Sequence, residues 1–157
     1  MQKISYKKLK GEHKQLIDFA DAAKERAYNP YSNFFVGAAL RAIDDSIITG
    51  ANVENASYGL TTCAERAAIF RANVTGYREF TSIAVIARGE TFDTDEPTAP
   101  CGACLQVLNE FRQVSGSDLV VVLANTKKTK IRLASIDELL PGGFGPKNLG
   151  IDVDRYR

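Results

Sequence analysis

The three cysteines constrain the fold most strongly, because they lie in two separate segments whose chemistry requires them to meet. Cys63 lies in residues 61–68, and Cys101 and Cys104 lie in residues 99–106. An odd number of cysteines leaves a disulfide framework incomplete, and a C-x-x-C pair in a reducing compartment is more often a metal or redox site. Three thiolates can fill three corners of a tetrahedral zinc and leave the fourth for water, which is the arrangement of a catalytic site.

The spacing within each segment indicates how its side chains are presented. Cys101 and Cys104 are three positions apart, so they point the same way if Pro100 opens a helix. Glu65 follows Cys63 by two positions and is placed to reach whatever Cys63 holds. A carboxylate can move protons beside such an ion, provided that it stays off the metal. The pattern C-A-E followed by P-C-x-x-C is the signature of zinc deaminases.

Simpler interpretations of the same residues stay open at the level of sequence. The cysteines could be buried apolar residues, or a thioredoxin-like pair with a spare thiol. Glu65 could be a first-turn residue that interacts with the helix dipole, and Arg66 a surface ion-pair partner. We prefer the metal interpretation because it accounts for the cysteines and Glu65 together.

Composition and charge argue against other classes of function. The formal net charge is +1, and the lysine clusters at 7–10 and 127–130 are typical of solvated faces rather than of a nucleic-acid surface. His13 is the one histidine, and we expect it on the surface. Ser-His-Asp or Cys-His machinery is therefore not predicted.

Length and hydropathy predict one domain over residues 1–157, with residues 150–157 a loosely held tail. The N-terminal segment lacks an apolar signal core, and no run is long enough to span a membrane. We therefore expect a cytoplasmic protein that binds neither membranes nor nucleic acid.

Hydrophobic periodicity predicts the element order α-β-β-α-β-α-β-β-α, typical of a mixed sheet covered by helices in a three-layer α/β/α sandwich. Thr61 and Thr62 are predicted to cap the second helix, and Ser135 the last. A continuous apolar run at 119–124 predicts a strand buried on both faces. The predicted helices are 9–28, 63–73, 101–114 and 136–140, and the predicted strands are 36–43, 46–55, 82–87, 119–124 and 129–133.

Several blocks in one order resemble the cytidine deaminases of pyrimidine salvage, the small free-nucleoside type with a three-cysteine zinc site. The resemblance implies a three-layer sandwich with a five-stranded mixed sheet. It also implies zinc-dependent hydrolysis of cytidine and 2′-deoxycytidine to uridine and 2′-deoxyuridine with release of ammonia, usually in a homotetramer. Besides the cysteine segments, the blocks are Asn29-Pro30-Tyr31-Ser32, Phe34, Val36-Gly37-Ala38-Ala39 and residues 52–59, 139–141 and 144–146.

The resemblance implies that the three cysteines bind zinc and that Glu65 moves protons. Three thiolates leave a zinc site with a net charge of about −1, which must be compensated for bound water to become acidic. Two helix N-termini aimed at the metal would help. The resemblance implies that Arg66 donates to a thiolate and that Gln106 makes a sulfur–amide contact.

The resemblance also implies the substrate-binding residues. Asn52 and Glu54 occupy alternate positions at a strand end, and composition alone predicts that both face solvent. The resemblance instead places them on the ribose 3′-hydroxyl, with Phe34 against the pyrimidine ring. Three further residues are expected to reach a neighbouring subunit's pocket: Ala56, Tyr58 and Phe144.

Two positions depart from the family pattern. Leu105 stands where arginine is usual, which removes a guanidinium next to the zinc helix. Phe35 stands where proline is usual, and we expect it to add bulk near the pocket mouth. Three rivals stay open: a deaminase of a modified cytosine nucleoside, a polynucleotide-editing deaminase and a non-catalytic zinc-stabilised protein.

Overall fold

A mixed six-stranded sheet with helices on both faces organises the computed structural model, which describes residues 1–157. The strand order is β1-β6-β5-β4-β2-β3, and β4 and β5 form the one parallel pair. The three-layer α/β prediction is confirmed. The strands are β1 (Gln2–Ile4), β2 (Phe34–Ala42), β3 (Ile47–Ala51), β4 (Phe80–Gly89), β5 (Val120–Ala124) and β6 (Ile131–Ala134), and the helices are α1 (Gly11–Lys24), α2 (Ala64–Val74), α3 (Gly102–Ser115) and α4 (Ile136–Leu139).

The sheet has one strand more than the five that were expected. The additional strand is β1, which pairs antiparallel with β6 through Gln2↔Leu133 and Ile4↔Ile131. Three residues are too few for a hydrophobic period to register in the sequence, and the pairing depends on a partner at the far end of the chain. The extra strand extends the sheet at the edge opposite β3.

Two hydrophobic cores lie on the two faces of the sheet, because successive side chains of a strand point to opposite faces. Val121 and Leu123 belong to the core under α2, α3 and α4, whereas Val122 and Ala124 belong to the core under α1. The prediction that this strand is buried on both faces is confirmed.

Two glycines let helices lie directly on the strands. A Cβ at Gly37 would lie 1.9 Å from the Ala20 carbonyl oxygen of α1. One at Gly50 would lie 2.4 Å from the Ala64 carbonyl oxygen. The close approach at Gly50 fixes the N-terminus of α2, and with it Cys63, against β3.

The helix caps agree only in part with expectation. Ser135 accepts a hydrogen bond from the Glu138 backbone N–H in a complete capping box, as predicted. The cap of α2 is Cys63 rather than either threonine before it, and the cap of α3 is Cys101, so Pro100 precedes the helix. Neither cysteine makes a side-chain cap hydrogen bond, which leaves its sulfur available for other partners.

His13 was expected on the surface, but in the first turn of α1 it is only 7% exposed. Its Nδ1 has no hydrogen-bond partner, and burial lowers its pKa. Its burial follows from the position of α1, whose first turn is held to β2 by hydrogen bonds from Arg41 to the Glu12 carbonyl and to Gln15.

The C-terminal residues pack against α3 and the turn before β4. Arg157 Nε donates to the Val114 carbonyl at 2.7 Å, and Arg78 Nη1 donates to the Tyr156 carbonyl at 3.1 Å. These bonds give specific contacts to a segment that was expected to be loosely held. None of the helices is both long enough and apolar enough to cross a bilayer.

Candidate active site

The three cysteines meet where α2 and α3 begin. Cys63 and Cys101 are the N-caps of these helices, and Cys104 lies in the first turn of α3. The Cys63 and Cys101 sulfurs are 4.0 Å apart, and those of Cys101 and Cys104 are 3.5 Å apart. All three sulfurs lie within 4.8 Å of one another. Cys104 is fully buried and Cys101 is exposed, so the cluster is open to solvent on one side.

This donor set fits zinc. With zinc–sulfur bonds of about 2.3 Å, tetrahedral geometry places sulfurs roughly 3.8 Å apart, close to the spacing found here. Three thiolates make a set that soft or borderline metals prefer, and the exposed side leaves room for a fourth ligand.

Positive charge surrounds the cluster. Arg66 Nη2 lies 3.6 Å from the Cys63 sulfur and donates to the Thr61 carbonyl at 2.9 Å. Hydrogen bonding from the Cys104 thiol lowers the pKa of Cys63, and Arg66 lowers it further. The helix N-termini at Cys63 and Cys101 add partial positive charge of roughly half a unit each. This arrangement favours the thiolate at Cys63, whereas the hydrogen bond to Cys63 and burial raise the pKa of Cys104.

Leu105 contributes no charge at this place. Its side chain is 7% exposed and belongs to the hydrophobic core on the α2–α3 face of the sheet. Compensation of the thiolates therefore falls to Arg66 and to the two helix N-termini.

Glu65 lies in the first turn of α2, two residues after Cys63, and is 4% exposed. Burial raises its pKa above the ordinary value, and the negative charge of Cys63 raises it further. A carboxyl with a raised pKa is a stronger proton acceptor than an ordinary carboxylate, as a general base requires. Its position beside the sulfurs suits that task.

Asn52 is buried rather than solvent-facing, with 7% of its surface exposed. Its Oδ1 accepts from the Val36 backbone N–H and its Nδ2 donates to the Phe34 carbonyl, both at 2.9 Å. A primary amide has two N–H donors and two lone pairs, so one donor and one lone pair stay free. Asn52 thus holds the start of β2 and retains the capacity to contact a ligand.

Glu54 is half-buried and holds the 29–32 loop. Its carboxylate accepts from the backbone N–H groups of Tyr31 at 2.9 Å and Ser32 at 3.2 Å, and from the Ser32 hydroxyl. The hydroxyl bond lowers the pKa of Glu54 most, and the backbone bonds add to it. Ser32 Oγ also accepts from the Phe34 backbone N–H at 3.1 Å, which links Glu54 to the start of β2. This bridging role of Ser32 was not predicted.

Phe34 and Phe35 point to opposite faces of the sheet, because they are adjacent on β2. Phe35 shares its face with Gly37, which contacts α1, and the Arg88 guanidinium lies 4.0 Å from its ring centroid. Arg88 in turn forms two hydrogen bonds to Glu25 at the end of α1. The expectation that Phe35 adds bulk at the pocket mouth is therefore wrong.

The expected subunit-contact residues are exposed in this chain. Tyr58 is 73% exposed and Phe144 is 57% exposed, and Ala56 is exposed as well. Gln106 Nε2 donates to the Phe144 carbonyl at 2.8 Å, so its side-chain amide holds the 144 loop instead of making the expected contact with sulfur. A cavity of about 200 Å³ beside Glu54 is lined by Tyr31, Ser32, Glu54, Tyr58 and Thr61.

Comparison with known proteins identifies the family. Residues 10–122 match the family described as "Cytidine and deoxycytidylate deaminase zinc-binding region". The cytidine deaminase of Halalkalibacterium halodurans is 47% identical over 88% of this chain and 98% of its own length. That of Sporosarcina psychrophila is 46% identical over 90% of this chain and 97% of its own length.

Solved structures agree with the sequence comparisons. A crystal structure of cytidine deaminase from Burkholderia pseudomallei has a TM-score of 0.75 and 49% identity, covering 84% of this chain and 98% of that one. Cytidine deaminase from Mycobacterium tuberculosis has a TM-score of 0.68 and 36% identity, covering 84% and 96%. With three thiols and a buried carboxyl at the junction of α2 and α3, this chain belongs to the zinc-binding cytidine deaminase family.

Proposed function

We propose that this chain is a zinc-dependent hydrolase that converts cytidine and 2′-deoxycytidine to uridine and 2′-deoxyuridine with release of ammonia, in pyrimidine salvage. The observation that carries the proposal is the buried carboxyl of Glu65 beside three sulfurs that lie within 4.8 Å of one another. A closed structural site would need a fourth protein ligand and would have no use for a free carboxyl next to it.

In the proposed reaction Cys63, Cys101 and Cys104 would hold zinc. Zinc, when bound, supplies the Lewis-acid chemistry that makes water nucleophilic at neutral pH. Glu65 takes one proton from the attacking water and gives it to N3 of the pyrimidine as oxygen adds to C4. It then moves the remaining hydroxyl proton to the leaving nitrogen, so that the C4–N bond breaks and ammonia departs.

The nucleoside is held by the residues around the start of β2. Phe34 lies along the pyrimidine, and Asn52 and Glu54 bind the ribose 3′-hydroxyl in this proposal. Support comes from the free donor and lone pair of Asn52 and from the half-buried carboxylate of Glu54, which lines a cavity. Binding at the 3′-hydroxyl makes no use of the 2′-position, so both ribose and deoxyribose nucleosides are accepted.

We further propose that the active protein is a cytoplasmic homotetramer in which the whole chain acts as one domain. Ala56, Tyr58 and Phe144 then contact the pocket of a neighbouring copy, which accounts for the two exposed aromatic rings. The 200 Å³ cavity beside Glu54 is small for a nucleoside, which agrees with a site that another copy completes. Three free thiols intended for a metal favour a reducing compartment.

Cytidine turnover and zinc content measured on one sample test the proposal. We expect loss of cytidine absorbance, stoichiometric ammonia and about one zinc per chain. If the zinc-containing protein left cytidine and deoxycytidine unchanged but deaminated a blasticidin-type nucleoside, it would instead be a deaminase of modified cytosine nucleosides. A zinc-containing protein with no deaminase activity on any of them would reject the proposal.

A further inference from the structure

We propose that Phe92 is a positioning residue for the pyrimidine site, and that it acts by holding the ring of Phe34. This inference rests on the function proposed above. The two rings are stacked, with centroids 6.4 Å apart and an interplanar angle of 28°. Phe92 is 60% exposed, so burial in a core does not account for a phenylalanine at this position.

The Phe92 ring occupies the place of a missing side chain. Gly89 is the direct partner of Phe34 in the β2–β4 pairing, and paired residues of antiparallel strands point to the same face. A Cβ at Gly89 would lie 2.1 Å from Cε1 of the Phe92 ring. The glycine therefore leaves room for an aromatic ring from outside the strand to become the neighbour of Phe34.

The turn that carries Phe92 is anchored on both sides. The Gly89 N–H donates to the Phe92 carbonyl at 2.9 Å, and the backbones of Arg88 and Asp93 form an isolated antiparallel β-bridge. Beyond the ring, Thr94 Oγ1 donates to the Ala87 carbonyl at 3.0 Å.

Thr94 also receives support from a second segment. Its backbone N–H donates to Thr126 Oγ1 at 2.8 Å, and the Thr126 hydroxyl donates to the Ala87 carbonyl at the same distance. These hydrogen bonds hold the backbone of the turn, so that Phe92 is placed beside Phe34 before any ligand arrives. Such preorganisation lowers the cost of ordering Phe34 when a base binds.

The expected effect is on binding rather than on proton transfer, because Phe92 acts through the ring of Phe34 and carries no group that can move a proton. Loss of an aromatic pair of this kind corresponds to about a two- to tenfold weaker interaction. Phe92→Leu should therefore raise the KM for cytidine about two- to tenfold and leave kcat within about twofold. Phe92→Tyr, which keeps the ring, should retain the original KM.

Gly89→Ala provides an independent way to remove the ring. Its methyl group would collide with the Phe92 ring and should expel it, so the KM should match that of Phe92→Leu. The double variant, Gly89→Ala with Phe92→Leu, should have a KM no higher than either single variant. In a Phe34→Leu background, Phe92→Leu should have no further effect. Phe19→Leu removes a comparably exposed phenylalanine of α1 and serves as the control, with KM unchanged.

A measurement without turnover separates this inference from the proposed function. In protein with 13C-labelled phenylalanine rings, Phe92→Leu and Gly89→Ala should each shift the ring signals of Phe34, assigned from Phe34→Leu, whereas Phe19→Leu should not. The inference would be overturned if the Phe34 signals did not move or if Phe92→Leu left the KM unchanged. It would also be overturned if Phe92→Leu raised the KM equally in the wild-type and Phe34→Leu backgrounds. A wild-type protein inactive on cytidine would reject the proposed function, and the ring signals would then decide the role of Phe92.

Discussion

Asn52 holds the backbone of Phe34 through a side-chain hydrogen bond, in which Nδ2 donates to the Phe34 carbonyl at 2.9 Å. The same amide accepts from the Val36 backbone N–H. The Asn52 side chain therefore supplies to β2 the hydrogen bonds that a neighbouring strand would make, just beyond the end of β3 at Ala51. The residue expected to bind the sugar is therefore also the residue that orients the start of β2. In the proposed function, this one amide would couple sugar binding to base binding.

Asn52→Asp should lower the free energy of unfolding by about 1–3 kcal/mol and raise the KM for cytidine. A carboxylate cannot donate to the Phe34 carbonyl, which is left without this partner beside a buried negative charge. Urea unfolding and cytidine kinetics measure the two effects. Asn148→Asp is a matched control, because Asn148 Oδ1 only accepts a hydrogen bond, from the Gly145 N–H. If the two variants were equally stable, the Asn52 side chain would not be holding the start of β2.

Glu65→Gln should lower kcat by about two to four orders of magnitude while zinc content is retained. Glutamine fills the same buried space and cannot carry a proton between water, N3 and the leaving nitrogen. Ammonia release and metal analysis on the same preparation check both parts. Glu110→Gln, on α3, should be indistinguishable from the wild-type protein. Loss of zinc from Glu65→Gln would show that the carboxyl is a ligand instead.

Cys101→Ala should lose both zinc and stability. Two thiolates are too few protein ligands to retain the ion, and without it nothing joins Cys63 of α2 to Cys104 of α3. The wild-type protein should show a lower Tm after treatment with a chelator, whereas the variant should show no further decrease. Thermal unfolding with and without chelator measures the difference. A variant that keeps one zinc per chain and responds to chelator would exclude Cys101 as a ligand.

The cysteine segments were predictable because the spacing of ligands and the periodicity of α2 and α3 are local properties. The two helices were predicted within one residue of their observed bounds. The positions of Asn52 and Phe35 were not predictable, since both depend on which face of β2 meets α1 and where β3 ends. His13 was placed on the wrong side of α1 for the same reason, as its burial is set by tertiary packing.

Glu25→Gln should remove an acid-dependent part of the stability. Hydrogen bonding from Arg88 lowers the pKa of Glu25 from 4.5 to about 2. A depressed carboxyl pKa stabilises the fold above pH 4.5, and this contribution is lost as the pH falls through about 2.

The magnitude of this contribution is small, because the Glu25 side chain is 52% exposed and solvent screens the pair. We expect a difference in unfolding free energy of at most about 1 kcal/mol at pH 7, vanishing near pH 2. Urea unfolding across this pH range measures the difference, and NMR titration of the Glu25 carboxyl measures its pKa directly. A carboxyl that titrates near 4.5 would contradict the ion pair.

The strand β4 separates the two cysteine segments along the chain and lies between β2 and β5 in the sheet. An ion bound by both Cys63 and Cys101 thus closes a loop between residues 38 positions apart in the sequence, and this loop contains the central strand β4. In an unfolded chain that closure costs entropy, whereas the folded sheet presents both sulfurs already side by side. Zinc that binds only the folded chain therefore stabilises it by mass action, so that the free zinc concentration shifts the unfolding equilibrium.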